Sequence, residues 1–383
     1  MLIIHAARLS RAPMAGLTAI GFFWGTFAAY IPEFKLRAGV GDAELGRALM
    51  LTAAGGILAM SSGPRIGKRL GRAALPVAAM VLAGAAFLPM SIGSIWTMAA
   101  AIFGMGLSLS FLDINANIRI SVLEERHGLH LMNLNHAMFS FGFAGSALAA
   151  SLARQADLSP EAVFPCLALA IAALGLLMAE GTFWAPAAEP PQDADHKGLW
   201  RLIAPAAAIL FAAFVSENAA DSFSALHIEQ TLHGRVGEGG LGPMMLGLAM
   251  GLGRLSGQVA ARRLGEAGLI LWSAALGVAG ALVTALAPTP LVAMGGVGLL
   301  GLGVAVTVPS ANSILGKLVR PDQRGTAISR AWMVGFTGFF IGPVLMGEIA
   351  ERAGLRWSFA MIALVMSAIL ICVWPMGRPL IQR

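Results

Sequence analysis

The sequence predicts an all-α membrane protein with twelve transmembrane helices. Of its 383 residues, 57% are hydrophobic and only 12% are Asp, Glu, Lys or Arg, whereas soluble domains carry about 25% charge. The apolar residues form blocks of roughly 18 to 26 residues, each long enough to cross a hydrocarbon core of about 30 Å as a helix. In lipid every backbone polar group must find a partner within the protein, so only helices and closed β-barrels can span the membrane. The sequence does not show the short alternating strands of a β-barrel, so the spans should be helices.

The predicted spans follow one another with short connections. In chain order they are 13–32, 44–62, 73–92, 96–121, 130–153, 162–184, 201–226, 241–259, 267–287, 291–316, 326–349 and 357–377. The first follows Arg8 and Arg11, but it is too long for a signal peptide and no small-residue cleavage site ends it. Cys166 and Cys372 lie in apolar blocks, so no disulfide framework is expected.

One long polar stretch divides these spans into two sets of six. It runs from Ala185 to Gly198 and contains Pro190, Pro191 and two Asp residues, a composition typical of a linker. We therefore expect an N-terminal six-helix half at 1–184, a cytoplasmic linker at 185–200 and a C-terminal six-helix half at 201–383.

The basic residues predict the orientation of the helices. Alternate connections carry sixteen Lys or Arg on one side and seven on the other, and the side richer in positive charge is normally cytoplasmic. Both termini should therefore be cytoplasmic, in a multi-pass protein of a bacterial inner membrane. The net charge of +6 then reflects an inner rim facing anionic lipid rather than a nucleic-acid partner.

A short motif repeats in the two predicted halves. Shifting the chain by 194 residues superimposes 63–71 on 257–265, each in the connection after the second helix of its half. The matched residues are Gly63, Lys68, Arg69 and Gly71 in the first copy and Gly257, Arg262, Arg263 and Gly265 in the second. An offset of half the chain indicates a duplicated six-helix unit whose copies point the same way.

This Gly-x-x-x-x-basic-Arg-Leu-Gly pattern resembles the loop signature of the major facilitator superfamily, whose twelve-helix architecture matches the whole chain. Segments 131–142 and 217–226 resemble its fucose-permease-like branch, which includes a rhizopine-transport protein. The resemblance implies a secondary transporter. The family usually has an Asp where this chain has Gly67 and Ala261, so the outward-open latch that this Asp supplies in relatives is in doubt here.

Six ionisable residues fall inside the predicted spans, where an unpaired charge is costly, so each is a functional hypothesis. They are Asp113, Arg119, Glu217, Asp221, Arg254 and Arg330. Arg119 lies near a helix end, where its long side chain can reach the interface.

Glu217 and Asp221 are four residues apart and share one face of a helix. Two carboxylates in a poorly hydrated place resist double ionisation, so one of them can hold a proton and exchange it as solvent access alternates. We expect proton coupling at this pair. The alternative is that Asp221 lies at a hydrated mouth while Glu217 bonds to a neighbouring helix.

Asp113, Arg254 and Arg330 all lie in the cytoplasmic half of their predicted spans. Charges at one depth in both halves can pair across the central cleft and close an inner gate. The equally open alternative is a static tie within one half.

Uncharged polar residues predict a substrate site near the middle of the membrane, where the two repeats meet. The candidates are Trp24, Asn115, Asn117, Asn135, His136, Ser140, Asn218 and Asn312. Amides donate and accept hydrogen bonds, which suits hydroxyl-rich ligands, and the Trp24 ring can stack on a sugar while its N–H donates. For each residue alone, a hydrogen bond between two helices is the alternative.

The sequence therefore predicts a monomeric secondary transporter that moves a small polar solute such as a sugar, polyol or cyclitol by alternating access, coupled to protons. The main alternative is a proton-driven exporter of drug-like or metabolite compounds on the same fold. A nucleotide-binding loop, metal-spaced His or Cys residues and a soluble domain are missing from the sequence, so no enzyme, cofactor or metal is expected.

Overall fold

The computed structural model describes residues 2–180, 199–320 and 323–381, and every regular element within these ranges is helical. Most of the predicted linker lies outside the described residues. The helices are α1 Leu2–Leu9, α2 Arg11–Ala38, α3 Asp42–Leu70, α4 Ala74–Ala85, α5 Ile95–His127, α6 Met132–Gln155, α7 Pro160–Leu177, α8 Trp200–Leu226, α9 Leu241–Leu286, α10 Pro290–Ala305, α11 Thr307–Leu318, α12 Arg324–Ala353 and α13 Leu355–Ile381.

Ten stretches of the described chain are long and apolar enough to cross a membrane. One of them spans 50 residues, Asp42–Ser91, and contains both α3 and α4. Helix α9, with 46 residues, is interrupted at Gly265, and only its part from Val259 is counted among the ten. The all-α membrane class is confirmed, and the twelve predicted spans are consistent with these helices.

Both copies of the repeated motif break the helix at the same place. Gly71 ends α3 with φ +56°, and Gly265, 194 residues later, interrupts α9 with φ +68°. Positive φ is costly for residues with a Cβ and natural for glycine. The terminal glycine of the motif is therefore the residue that lets each basic connection turn.

The predicted span 291–316 is two helices rather than one. Helix α10 ends at Ala305 and α11 begins at Thr307, with Val306 between them at φ −112° and ψ −4°. Pro309 lies in the first turn of α11, where the N–H that proline lacks would have no helical partner. The break therefore comes three residues before the proline.

The helices pack in two groups that follow the chain. In the first, α2 contacts α5, α6 and α7, and α5 contacts α3 and α4; in the second, α8 contacts α11, α12 and α13, and α9 contacts α10, α11 and α13. The groups meet mainly where α6 packs on α9 and α3 packs on α12. Contact concentrated along two seams suits a relative movement of the groups.

The groups are joined at one end of the bundle, here called the closed end, where the connections 39–41, 156–159 and 232–240 lie. There Arg47 donates to Glu348 at 2.6 Å, and Glu351 of α12 accepts from the backbone N–H of Asp42, at the start of α3, at 2.8 Å. The hydrogen bonds that join described residues across the groups lie at the closed end or in the middle of the bundle. In the part of the chain that the structure describes, the bundle is thus closed on one side.

Within the first group, glycines bring α2 against α6. A Cβ at Gly25 would lie 2.2 Å from the carbonyl oxygen of Phe143. We expect Gly25→Ala to lower the free energy of unfolding by about 1–3 kcal/mol, because the helices would have to separate. Thermal unfolding in detergent measures this.

Gly145 of α6 is the matched control, because a Cβ there has no neighbour within 4 Å. Gly145→Ala should be neutral or stabilising by up to about 1 kcal/mol, since alanine favours the helix. Equal melting temperatures for the two variants would contradict this account of the α2–α6 contact.

Candidate functional site

A buried hydrogen bond joins the two groups in the middle of the bundle. The indole Nε1 of Trp24 on α2 donates to Oδ2 of Asp221 on α8 at 2.7 Å, and the Ser222 hydroxyl donates to Oδ1 at 2.8 Å. Trp24 and Asp221 are 9% and 8% exposed. Both carboxylate oxygens of Asp221 therefore have donors, and one of these donors belongs to the other group.

A second tie is centred on Arg254 of α9. Its Nη1 donates to the hydroxyl of Ser140 at 2.5 Å and to the carbonyl oxygen of His136 at 3.2 Å, both on α6. Its Nη2 lies 3.3 Å from Oε1 of Glu217, one turn before Asp221 on α8. Because α6 is in the first group, Arg254 connects it to a carboxylate of the second.

Asp113, Asn117 and His136 continue this polar layer into α5. The Asn117 side-chain nitrogen donates to the backbone and carboxylate oxygens of Asp113, each at 2.9 Å. Its oxygen lies 3.2 Å from Nε2 of His136 and can only accept. Nε2 of His136 therefore carries the proton in this contact.

The three residues predicted to form an inner gate do not pair with one another here. Arg254 contacts Glu217 and α6, and Asp113 contacts Asn117. Within the described part of the chain, Arg330 of α12 has no hydrogen bond or ion pair. An Asp113–Arg254 or Asp113–Arg330 pair thus does not exist in the state that this structure shows.

The remaining predicted substrate residues have different surroundings. Asn115 and Asn135 are fully buried, and each donates to a carbonyl of its own helix. Asn218 and Asn312 are half-buried. Within the described chain, the side-chain oxygens of Asn115, Asn135 and Asn312 are buried without a hydrogen-bond partner.

Asn115 fills the place of the missing loop-signature side chain. A Cβ at Gly67 would lie 1.8 Å from the side-chain oxygen of Asn115, so any other residue at 67 would collide with it. Asn115 therefore faces α3 rather than the space between the groups. The basic residues of both signatures, Lys68, Arg69, Arg262 and Arg263, are exposed, whereas Gly257 lies close to Val306, between α10 and α11. Gly63 is buried and has ordinary contacts with Phe111 of α5.

Two buried ion pairs could not be predicted from the sequence. Arg119 does not extend to the interface but forms a two-pronged ion pair with Glu180, at 2.7 and 3.0 Å. Arg154, which comes just after the predicted span 130–153 and belongs to the seven basic residues of the less positive side, is buried and paired with Glu229. Their positions near predicted helix ends gave no sign of burial. In the described residues, no group of three His, Cys, Asp or Glu could hold a metal ion.

Comparisons with known proteins agree with this architecture. The sequence model of the Major Facilitator Superfamily matches residues 206–380. An uncharacterised MFS-type transporter of Yersinia pestis is 27% identical over 353 residues, covering 90% of this chain and 90% of that protein. The chain is thus similar to members of the major facilitator superfamily, and the family model covers its second half. These similarities, together with the ten apolar helices, indicate a multi-pass membrane transporter rather than an enzyme.

Solved transporter structures share the fold over nearly the whole chain. The nucleoside transporter NupG superimposes with a TM-score of 0.71 at 14% identity, over 96% of this chain and 99% of that one. The Escherichia coli fucose:proton symporter FucP superimposes with a TM-score of 0.57 at 20% identity, over 95% and 98%. At these identities the likeness shows the major facilitator fold alone.

The contact between Gly67 and Asn115 can be tested by a pair of substitutions. Gly67→Ala should destabilise the protein by about 1–3 kcal/mol through overpacking. Asn115→Ala removes the colliding oxygen, so the double variant should recover most of that loss, as residues in contact do not act additively. Melting temperatures of the two single variants and the double variant measure the coupling; additive effects would contradict the contact.

Proposed function

We propose that this protein is a proton-coupled secondary transporter that carries a small polar solute, a sugar, polyol or cyclitol, across a bacterial inner membrane by alternating access. In this proposal 1–184 and 201–383 are the two moving halves, 185–200 is their linker, and the monomer is the working unit. One observation carries it: the two carboxylates of α8 hold the hydrogen bonds that join the groups in mid-bundle.

Protonation acts directly on these ties. A carboxylate that gains a proton loses its charge, and hydrogen bonds to charged groups are roughly twice as strong as neutral ones. A proton on Asp221 weakens the bond from Trp24, and a proton on Glu217 removes the charge that holds Arg254 beside Ser140. Proton binding thereby favours separation of the groups at the closed end.

Release of Arg254 from Glu217 would allow a second gate to close on the opposite side of the bundle. Once it leaves Glu217 and Ser140, the guanidinium needs another acceptor, because an unpaired charge in the bundle is costly. Asp113 has only the Asn117 amide as a side-chain donor among the described residues. We assign Asp113, Arg254 and Arg330 to an inner gate that pairs when the closed end opens.

Half-buried polar groups of the bundle support the proposed solute class. Asn117, His136, Asn218 and Asn312 are half-buried and offer amide and imidazole donors and acceptors, which match hydroxyl groups. The related folds include a nucleoside transporter and a fucose:proton symporter by name. These points support a hydroxylated solute over the drug-like compounds of the exporter alternative.

Glu217→Gln tests the coupling. In vesicles with an imposed proton gradient, we expect the variant to lose solute accumulation against a concentration gradient, because the amide cannot carry the proton. Exchange of solute across the membrane should continue, since the amide still accepts a hydrogen bond from Arg254.

Glu266→Gln is the control, since Glu266 pairs with Lys317 at 2.8 Å within the second group. It should accumulate solute as the unsubstituted protein does. Normal accumulation by Glu217→Gln would refute coupling at this residue, whereas loss of both accumulation and exchange would assign Glu217 a role in binding or folding instead.

A thermal-shift screen tests the solute class. Sugars, cyclitols, organic acids and common drugs are added to the solubilised protein, because a ligand that binds the folded form raises its melting temperature. We expect a rise of about 2–4 °C with a sugar or cyclitol, reduced in Asn117→Ala. Rises confined to drug-like compounds would favour the exporter.

A further inference from the structure

The connection between α8 and α9 crosses from one group to the other at the closed end. Residues 232–240 reach across to α6 of the first group, where the Ser151 hydroxyl donates to the carbonyl oxygen of Gly237 at 2.6 Å. Gly237 has φ +82°, and a Cβ there would lie 2.7 Å from the Ser151 carbonyl oxygen and 2.8 Å from the Gln155 nitrogen. Only glycine fits this contact, both by conformation and by space.

Glu229 holds this connection in place. It lies on a π-helical turn, His227–Thr231, that continues α8. Its carboxylate accepts from the backbone N–H of Gly237 at 3.1 Å and of Gly239 at 3.2 Å, and from both terminal nitrogens of Arg154 on α6. The carboxylate of Glu229 therefore ties residues 232–240 to the end of α8. Through Arg154, it also ties them to α6 of the first group.

Arg154 is fixed within the first group independently of Glu229. It is 5% exposed, its Nη1 also donates to the Ala29 carbonyl oxygen at 2.9 Å, and its guanidinium carbon lies 5.6 Å from the centre of the Tyr30 ring. Its Nε is 3.9 Å from a carboxylate oxygen of Glu33. If Glu229 withdraws, Arg154 keeps a nearby acid and a carbonyl, and Glu229 keeps two backbone donors.

We propose that Arg154 and Glu229 form the latch of the outer gate, and that residues 232–240 are the plug that this latch holds. The inference rests on the proposed alternating access and adds to it the residues that seal the closed end. Since each partner retains acceptors or donors in its own group, the buried ion pair can open without leaving an isolated charge. The latch is thus reversible.

Thiol labelling measures the latch without any solute. Cys166 and Cys372 are replaced by Ser, and Ser151→Cys, fully buried beneath the plug, reports access of a membrane-impermeant maleimide from the closed end. We expect Glu229→Gln or Arg154→Gln to raise the labelling rate about tenfold, which corresponds to about 1.4 kcal/mol. Combining them should add little, since residues of one latch act together.

The pair Arg37–Glu161 is a matched control, because it has the same two-pronged geometry at the same end but lies within the first group. Glu161→Gln should leave the labelling rate within about twofold of the parent, as exposed ion pairs contribute little. An equal rise in Glu161→Gln and Glu229→Gln, or no rise in Glu229→Gln, would overturn the latch.

Gly237→Ala provides a test that leaves every charge in place. Its Cβ would displace the plug from α6, so labelling at position 151 should rise while the variant remains folded by size-exclusion chromatography. Unchanged labelling in this folded variant would overturn the plug. The two proposals can fail separately. If the protein shows no proton-driven accumulation of solute but the labelling rate at position 151 still rises in Glu229→Gln, the proposed coupling is refuted and the latch is not.

Discussion

The two carboxylates on one face of α8 hold the middle of the bundle together. Asp221 accepts the indole N–H of Trp24, and Glu217 faces Arg254, which in turn donates to Ser140. Each chain of contacts begins in one group of helices and ends in the other. The contacts between the groups therefore depend on two acids, and in the proposed function protonation of these acids links proton binding to movement of the groups.

The lipid surroundings explain why nearly every buried charge in this bundle has a partner. Charges are scarce in the chain, and a charge at membrane depth is costly unless it is paired. Some pairs, such as Arg119 with Glu180, lie within one group and can persist through any movement of the groups. Others, such as Arg154 with Glu229, join the groups and would have to break in the proposed movement. An ion pair within one group can therefore persist through the proposed movement, whereas an ion pair between the groups cannot.

Much of the fold could be predicted because apolar length and glycine position are local properties. The 194-residue repeat located Gly71 and Gly265, which turn the chain at matching points. The i, i+4 spacing placed Glu217 and Asp221 on one face. Periodicity does not say which neighbour a face meets, so the Trp24–Asp221 bond and the position of Asn115 against Gly67 required the packed helices. Arg154 was missed because a position near a helix end does not reveal burial.

Distances between spin labels test the central claim most directly. Labels at the exposed positions Leu158 and Leu291 report the separation of the groups at the closed end in the protein without its native cysteines. The account predicts a single short distance at high pH, a longer one that appears as the pH falls, and the longer one at all pH values in Glu217→Gln/Asp221→Asn. A distance distribution that is the same at every pH, and in both proteins, would contradict it.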